Sequence, residues 1–283
     1  MAISPSSSVQ RARQELADRL RELRLDADLS GRAFSHAAGW HEAKTSRIET
    51  AKQAPSDSDI RVWCQICQVP DLAVDLIAAS RAADSMYTEW RRMHRTGLRR
   101  EQVARRSLYA RTKTFKAYVS TVVPGLIQTP DYATALMSAI TAFEGTPDDV
   151  DEAVRARMER NRILRSANHQ FVMLLEESVL RYRIGDAGVM AEQLRYILNV
   201  AALPNVRLGV IPFSAAQRAM WTLEAFTIFD DARVHVELLS AQVTVTVPGE
   251  IVVYLRAFDQ LAKLAVFGAD ARSLITDAVD ALG

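Results

Sequence analysis

The stretch from Leu29 to Ser56 constrains this chain more than any other, because it predicts two short helices joined by a glycine turn. Ser30 can cap the first helix, since its side-chain oxygen can accept a free backbone N–H of the first turn. Gly39 ends that helix, because glycine tolerates the left-handed backbone of a tight turn. The second helix, residues 42–50, has few apolar residues and is polar on one side. This layout is typical of a helix-turn-helix.

The second of these helices is expected to enter the major groove of double-stranded DNA. Its buried side needs only Ala43 and Ile48, which leaves its polar side free. Lys44 and Arg47 suit guanine O6 and N7, whereas a threonine suits a thymine methyl and a glutamate suits cytosine N4. The residues predicted to reach base edges are His41, Glu42, Lys44, Thr45 and Arg47. Replacing Lys44 or Thr45 is expected to leave the fold unchanged.

Further polar residues of this stretch are predicted to contact DNA phosphates. These are Ser30, Arg32, Ser46 and Lys52. Three alternatives stay open at this point. The bundle can be purely structural with a solvated polar side, Arg47 can pair with Glu49 within the fold, and Trp40 can either touch a sugar or base or pack between the two helices.

The residues A-x-x-x-G-W-x-x-x-K-x-S-R-I-E-x, followed by P-S, resemble a known family. They are similar to the phage-repressor (Xre-type) helix-turn-helix of actinobacterial regulators, over about the first eighty residues. Ala51 stands where that family usually has glycine, so a strained or rearranged exit turn is expected. Repressors of this type bind as dimers to paired half-sites.

Helical periodicity and composition divide the chain into four segments. We expect a disordered lead at 1–9, a five-helix DNA-binding domain at 10–83, a basic helical connector at 84–120, and an interaction or dimerisation domain at 121–283. The last segment alternates with period two at several places, and Asp230-Asp231 predicts a hairpin turn between two of these runs. The predicted fold class is therefore α+β, an all-α helix-turn-helix bundle followed by a mixed domain with a small, mostly antiparallel sheet.

Charge is distributed unevenly along the chain. Residues 84–120 hold 10 basic and 3 acidic side chains, whereas residues 121–283 hold 14 basic and 20 acidic ones. Clustered arginine beside a DNA-reading module suggests phosphate contacts, and the residues concerned are Arg91, Arg92 and Arg95. The alternatives are a solvated helix face and pairing of the arginines with the acidic C-terminal half.

The second half also resembles a family. The motifs VPGLIQTPDYATAL, EESVLRYRIGDAGVMAEQLRYIL, NVRLGVIPF, VELL and YLRAFDQL are similar to the uncharacterised domain that follows the helix-turn-helix in many streptomycete regulators. Those regulators are described as antitoxin-like or developmental. The resemblance implies a homodimer and a small partner protein, often encoded nearby, and it brings no catalytic activity and no cofactor.

Little in the chain indicates catalysis or metal binding. The patterns GxGxxG, Walker A, HExxH and GxSxG are missing, so no enzyme is predicted. Candidate carboxylates and bases are Glu176, Glu177, Asp230, Asp231, Glu237, His169 and His235, and the paired glutamates near Arg181 and Arg183 favour a surface salt-bridge cluster. Cys64 and Cys67 form a CxxC, but a structural zinc site needs four ligands, so we expect both to pack on the inner side of a helix.

No apolar run approaches the ~20 residues of a membrane span, and the first residues, MAISPSSSVQ, lack the apolar core of a signal peptide. A cytoplasmic location without membrane contact is therefore expected. The sequence predicts a dimeric, sequence-specific transcriptional regulator with a C-terminal partner- or effector-binding domain. One alternative is an antitoxin-like protein that binds a small partner and uses DNA binding for autoregulation. Another is a repressor that senses a small ligand.

Overall fold

The computed structural model describes residues 5–215 and 218–283, without the side chains of residues 5–9, 11, 82–89 and 91. The chain divides into two compact units, Met1–Thr88 and Glu89–Gly283. Each unit has its own buried apolar core. Within the described ranges, no helix combines the length and apolar character that crossing a membrane requires.

The first unit is the predicted helical bundle. Its helices are α1 Pro5–Asp26, α2 Gly31–Ala38, α3 Glu42–Glu49, α4 Asp57–Ile66 and α5 Ala73–Met86, with a short 3-10 turn at Pro70–Leu72. Fully buried Leu20, Phe34, Ile48 and Trp63 meet at its centre. The Trp63 indole donates to the carbonyl of Leu20 at 2.9 Å, so the polar atom of the largest core side chain is satisfied.

Local signals set the helix boundaries of this bundle as predicted. The Ser30 hydroxyl accepts from the backbone N–H of Ala33 at 3.1 Å and caps α2. Gly39 ends α2 with a φ of 65°. Ser56 and Asp59 form a reciprocal capping box at the start of α4, because each side chain accepts from the other residue's backbone N–H.

The chain is helical from Pro5 onward, and it leaves α3 through a left-handed turn. The lead at residues 1–9 was expected to be disordered, but α1 begins at Pro5, because proline suits the first helical turn, where its missing N–H costs nothing. Residues 1–4 lie outside the described residues. After α3, Ala51 has a φ of 53°, so the exit turn keeps the left-handed backbone without the usual glycine. The expectation of strain there is met.

The second unit alternates helices and strands around one sheet. Its helices are α6 Trp90–Met93, α7 Arg99–Ala104, α8 Arg106–Arg111, α9 Pro130–Glu144, α10 Val150–Asn161, α11 Glu177–Arg181, α12 Ala187–Val200, α13 Pro248–Leu264 and α14 Gly268–Asp280, with 3-10 turns at Gly125–Ile127 and Arg162–Arg165. The strands are β1 Tyr87–Glu89, which spans the boundary between the units, β2 Thr114–Val119, β3 Gln170–Glu176, β4 Val206–Ile211, β5 Phe226–Phe229, β6 Arg233–Glu237, β7 Ala241–Val245 and β8 Val266–Phe267.

The sheet is mixed and has the order β1-β7-β6-β5-β2-β3-β4-β8. Strands β2, β3 and β4 run parallel, while β5, β6, β7 and β8 add antiparallel pairs. The α+β class is therefore confirmed, but the sheet is larger than predicted and its centre is parallel. Asp230 and Asp231 have φ values of 51° and 53° and turn β5 into β6, as expected of a hairpin turn in which both central residues are left-handed.

The expected basic connector at 84–120 is not a separate segment. Residues 89–120 belong to the second unit, and its last part is β2, a central strand between β3 and β5. Phe115 and Tyr118 of β2 are fully buried, whereas Lys116 reaches Asp231 at 2.9 Å. The charged residues of this strand hid its period-two pattern, so the sequence had indicated helices.

We predict that Ala51→Gly stabilises the first unit by about 0.5–1 kcal/mol, because glycine adopts a left-handed backbone without the steric penalty of alanine. Hydrogen exchange of the full chain, followed by mass spectrometry of peptides from residues 10–80, measures the change. Ala37→Gly is the matched control and is expected to destabilise by up to about 1 kcal/mol, because Ala37 is an exposed helical residue in the last turn of α2, where glycine is less favourable than alanine. Equal effects of the two substitutions would contradict the argument.

Candidate nucleic-acid interface

Helices α2 and α3 pack against each other across the turn that joins them. Trp40, just after the turn glycine, lies with its ring centroid 5.9 Å from Phe34 and 6.0 Å from Trp63. The tryptophan therefore packs between the helices, which is the second of the two roles considered for it. His41 caps α3, because its Nδ1 accepts from the backbone N–H of Ala43 at 3.2 Å.

The surface formed by α2, α3 and the turn between them presents exposed polar side chains to solvent. The predicted site residues found exposed are Ser30, Arg32, His41, Glu42, Ser46, Arg47 and Lys52. Arg32 and Glu42 lie within ion-pair distance of each other, at 3.6 Å, and both are largely exposed. The Ser30 hydroxyl accepts in its capping bond and still has a hydrogen to donate. These residues stay candidates for DNA contacts.

Two predicted base-reading residues are instead part of the fold. Thr45 is 2% exposed, and its hydroxyl lies 2.7 Å from the hydroxyl of Ser35 on α2. It occupies the buried side of α3 where Ala43 had been expected, and Ala43 is exposed. A base-edge role for Thr45 is therefore wrong for this conformation, and so is the expectation that its replacement leaves the fold unchanged.

Lys44 links the turn between α2 and α3 to the start of α4. Its Nζ donates to Asp59 Oδ1 at 2.6 Å and lies 4.0 Å from the centroid of the Trp40 ring. Burial alone would raise the pKa of the Asp59 carboxyl, but hydrogen bonds from Lys44 and Ser56 and the charge of Lys44 lower it below its ordinary value. Lys44 is thus not a free base-reading cation, because its charge is engaged within the bundle.

The suggested pairing of Arg47 with Glu49 is also wrong. Glu49 accepts two hydrogen bonds from Arg24 at the end of α1, at 2.5 and 3.1 Å, and both side chains are largely buried. Arg47 is exposed, and its Nε donates to Gln53 Oε1 at 2.9 Å. The contact with Gln53 could not be predicted from the sequence, because this residue follows the helix and shares no periodicity with it.

A surface groove of about 460 Å³ runs beside α3. Arg21 from α1, Arg32 from α2, and Ser46 and Thr50 from the end of α3 contribute donors to its lining. Arg21 had not been predicted as a site residue, because on α1 it reads as one polar position among many. The lining also includes Glu42 and Glu49, so the groove carries charges of both signs. Arg21 and Arg32 are the donors in it that suit a DNA phosphate.

The basic segment, residues 84–120, contains arginines without an ion pair among the described residues and, further along the chain, basic residues that pair with acids. Among the described residues, no carboxylate lies within ion-pair distance of the exposed side chains of Arg92, Arg95, Arg99 and Arg100. The Arg91 side chain lies outside the described residues. The Asp149 carboxylate, beside this part, accepts from the backbone N–H groups of Leu98 and Arg99 at 2.6 and 2.9 Å, and a Cβ at Gly97 would lie 2.2 Å from it. The backbone at Leu98 and Arg99 is therefore anchored.

The later basic residues pair with acids of the C-terminal half, as one alternative proposed. Arg105 contacts Glu101 and Glu237, Arg106 contacts Glu159, and Lys116 contacts Asp231. Nearby, Gln102 Oε1 accepts from Arg157 Nε at 3.2 Å and from Arg160 Nη1 at 2.9 Å. Burial and the adjacent Arg160 lower the pKa of Arg157 to about 10. This part of the segment stabilises the second unit.

The side chains considered for catalysis all have structural contacts. Glu176 accepts from Tyr118 and from Arg218, Glu177 pairs with Arg181 at 3.1 Å, and His169 Nδ1 lies 2.7 Å from the carbonyl of Thr112. Asp230 accepts from the backbone N–H groups of Lys113 and Thr114. Burial, with Arg105 and Arg233, lowers the pKa of His235 to about 3. Arg181 forms the expected salt bridge with Glu177, but both glutamates are buried and Glu176 pairs with Arg218, so the expectation of a surface cluster is wrong.

The two cysteines pack as predicted. Cys64 and Cys67 are free thiols buried inside the bundle on the inner side of α4. Burial raises the pKa of Cys67 to about 11, and it raises that of Cys64 as well. Thiols in this state are poor nucleophiles and poor metal ligands at neutral pH.

Comparisons with known proteins agree with the division of the chain into two units. Residues 15–77 match a family described as a helix-turn-helix domain, so the first unit is of the helix-turn-helix class. Residues 106–277 match a family described as a domain of unknown function, DUF5753. Because that match spans more than half of the chain, the protein belongs to the DUF5753 family. Together, the helix-turn-helix match and the exposed face of α3 support a DNA-binding regulator.

No curated protein matches the chain. Among solved structures, it is similar to TrmBL2, described as an archaeal chromatin protein with a novel mode of DNA binding. The identity is 11% and the TM-score 0.31, over 84% of this chain and 87% of that one. A likeness this distant does not bear on function.

We predict that Lys44→Met destabilises the first unit by about 1–3 kcal/mol at neutral pH, because it removes a charged hydrogen bond and leaves Asp59 without its cation. Thermal unfolding, with hydrogen exchange to locate the effect, measures it. The difference from the original protein is largest above about pH 4 and closes as the pH falls through the lowered pKa of Asp59, since a protonated carboxyl no longer attracts Lys44.

The matched control for this prediction is Lys52→Met. Lys52 is exposed just after α3, so its replacement is expected to change the free energy of unfolding by less than about 0.5 kcal/mol. A Lys44→Met protein as stable as the control would show that the ion pair with Asp59 contributes nothing to the fold.

Proposed function

We propose that this chain is a sequence-specific transcriptional regulator of the Xre type that binds double-stranded DNA as a homodimer. The observation that carries the proposal is the exposed polar face of α3, which stands opposite the buried Thr45 and Ile48. An eight-residue helix that is anchored on one side and exposed on the other can enter the major groove, about 12 Å wide, without rearrangement of the bundle. On this proposal α3 is the recognition helix.

The contacts divide into two groups by position on this face. His41, Glu42 and Arg47 are proposed to reach base edges, while Ser46 and the groove residues Arg21 and Arg32 hold the backbone. Ser30 and Lys52 flank the same helix pair and add phosphate contacts. Contacts to phosphate set position on the duplex, and contacts to base edges set sequence preference.

The test is a single added charge on the proposed interface. Ser46→Glu places a carboxylate on the exposed face of α3, and we expect it to weaken binding to a pool of random duplexes by about tenfold or more, because it faces phosphates. Gln65→Glu, on the exposed side of α4, is the matched control and is expected to bind as the original protein does. Fluorescence anisotropy with a labelled duplex measures both. Unchanged binding by Ser46→Glu would exclude α3 as the interface.

The arginines at the start of the second unit are proposed to add phosphate contacts. We predict that changing Arg91, Arg92 and Arg95 together to Gln lowers affinity for all DNA and flattens the slope of log affinity against log salt by up to about 3, since each phosphate contact contributes about 0.9. Preference between duplexes should persist. The control changes three exposed arginines elsewhere in the unit, Arg162, Arg165 and Arg183, to Gln. An unchanged slope would assign Arg91, Arg92 and Arg95 to a protein contact instead.

Dimerisation is proposed for the second unit. A single bundle offers few base-reading residues, so two half-sites roughly 34 Å apart would supply the missing specificity. Sedimentation of the full chain at micromolar concentration, alongside a footprint on a selected duplex, tests this. A monomer that protects one half-site would exclude it.

A second candidate function is that of an antitoxin-like protein that binds a small partner, and one observation favours it. Tyr182 and Phe213 are 64% and 69% exposed. Both lie beside Glu177, which accepts from the Phe213 backbone N–H at 2.9 Å and pairs with Arg181, the neighbour of Tyr182. Exposed aromatic side chains are typical of binding surfaces. If replacing both by Ser left the dimer intact but released a protein co-purified from the native host, this second function would be favoured.

A further inference from the structure

The exit turn of α3 folds the chain back onto Arg47. The backbone N–H groups of Lys52 and Gln53 both donate to the carbonyl of Arg47, at 2.9 and 3.1 Å. The left-handed Ala51 makes this return possible. Gln53 is thereby held beside the side chain of Arg47, whose Nε donates to Gln53 Oε1 at 2.9 Å. Backbone and side chain of Gln53 thus contact the same arginine.

This contact leaves the ends of the guanidinium free. An arginine side chain has one N–H at Nε and four on its two terminal nitrogens, in one plane. With Nε engaged by Gln53, the two terminal nitrogens remain available side by side. That is the arrangement that can donate to the O6 and N7 of one guanine at once.

Arg47 is also the cation of α3 that is left for this role. The helix carries two cations, Lys44 and Arg47. Lys44 is engaged by Asp59 and Trp40, whereas Arg47 is exposed. A free arginine loses rotamer freedom when it binds, so a contact that already holds the side chain reduces that loss.

We propose that Gln53 is a positioning residue for base recognition, which holds Arg47 so that its terminal nitrogens meet O6 and N7 of a guanine. The inference rests on the proposed function of α3 as a recognition helix. Gln53 itself touches neither base nor phosphate. Its effect appears in the preference for one base pair and not in the salt dependence of binding.

The experiment begins with a duplex that the unaltered full chain selects from a random pool. Affinity is then measured for that duplex and for its single base-pair variants. Arg47→Ala is expected to lose discrimination at one guanine by about 5- to 140-fold, which corresponds to ~1–3 kcal/mol. Gln53→Ala is expected to lose about 3- to 10-fold at the same guanine, with discrimination elsewhere and the salt slope unchanged.

Two further variants separate positioning from a general loss of structure. Gln53→Glu keeps an acceptor for Arg47 Nε, so it is expected to retain the guanine preference even though its added charge weakens binding to every duplex. Gln14→Ala removes an exposed glutamine that bonds to Asp18 on α1, and it is expected to change nothing.

Each other result is decisive. If Arg47→Ala abolishes the guanine preference while Gln53→Ala keeps it in full, Gln53 does not position the arginine. If Arg47→Ala changes no base preference and lowers the salt slope, Arg47 contacts phosphate and the inference fails, while the proposed function stands. If the unaltered chain selects no duplex, the proposed function fails as well.

Discussion

A buried ion pair between Arg24 and Glu49 fixes the helix on which the proposed function depends. Arg24 lies in the last turn of α1, and its guanidinium also donates to the carbonyl of Leu29 in the loop that leads to α2. One side chain therefore connects the end of α1, the loop after it and the end of α3. Breaking such a pair by removing one partner leaves a charge buried without compensation and costs about 3–5 kcal/mol. The position of α3 follows from this contact together with Ile48 and Thr45 on its inner side.

Much of the first unit could be predicted from the sequence because its signals are local. A capping serine and the glycine of a turn act within three or four residues, so Ser30 and Gly39 indicated the ends of α2 correctly. The roles of Lys44 and Thr45 could not be predicted in the same way. Their partners, Asp59 and Ser35, lie 15 and 10 residues away, and only the packed bundle brings them together. A polar side chain on a short helix is predicted to be exposed as long as its partner, which is distant in the sequence, is unknown.

The second unit shows the same limit at the level of a strand. The runs that became β4 and the hairpin of β5 and β6 alternate visibly, and they were predicted. Strand β2 was missed because Lys113 and Lys116 place charge in a segment whose neighbours in the sheet come from residues 170–175 and 226–229. The uneven charge of the sequence was a better guide. It correctly suggested that part of the basic segment pairs with C-terminal acids, as Arg106 does with Glu159.

The two thiols buried inside the bundle make the opening of the first unit measurable. Cys64 lies between Ile60 and Ile77, and Cys67 lies near Leu23 and Trp63, so reagents reach neither sulfur while the helices are packed. An alkylating probe reacts with them only in molecules whose bundle has opened. The rate of labelling therefore measures the opening equilibrium of this unit directly, and the second unit contributes no cysteine to the signal. The chain thus contains an intrinsic gauge of whether its helix-turn-helix is closed.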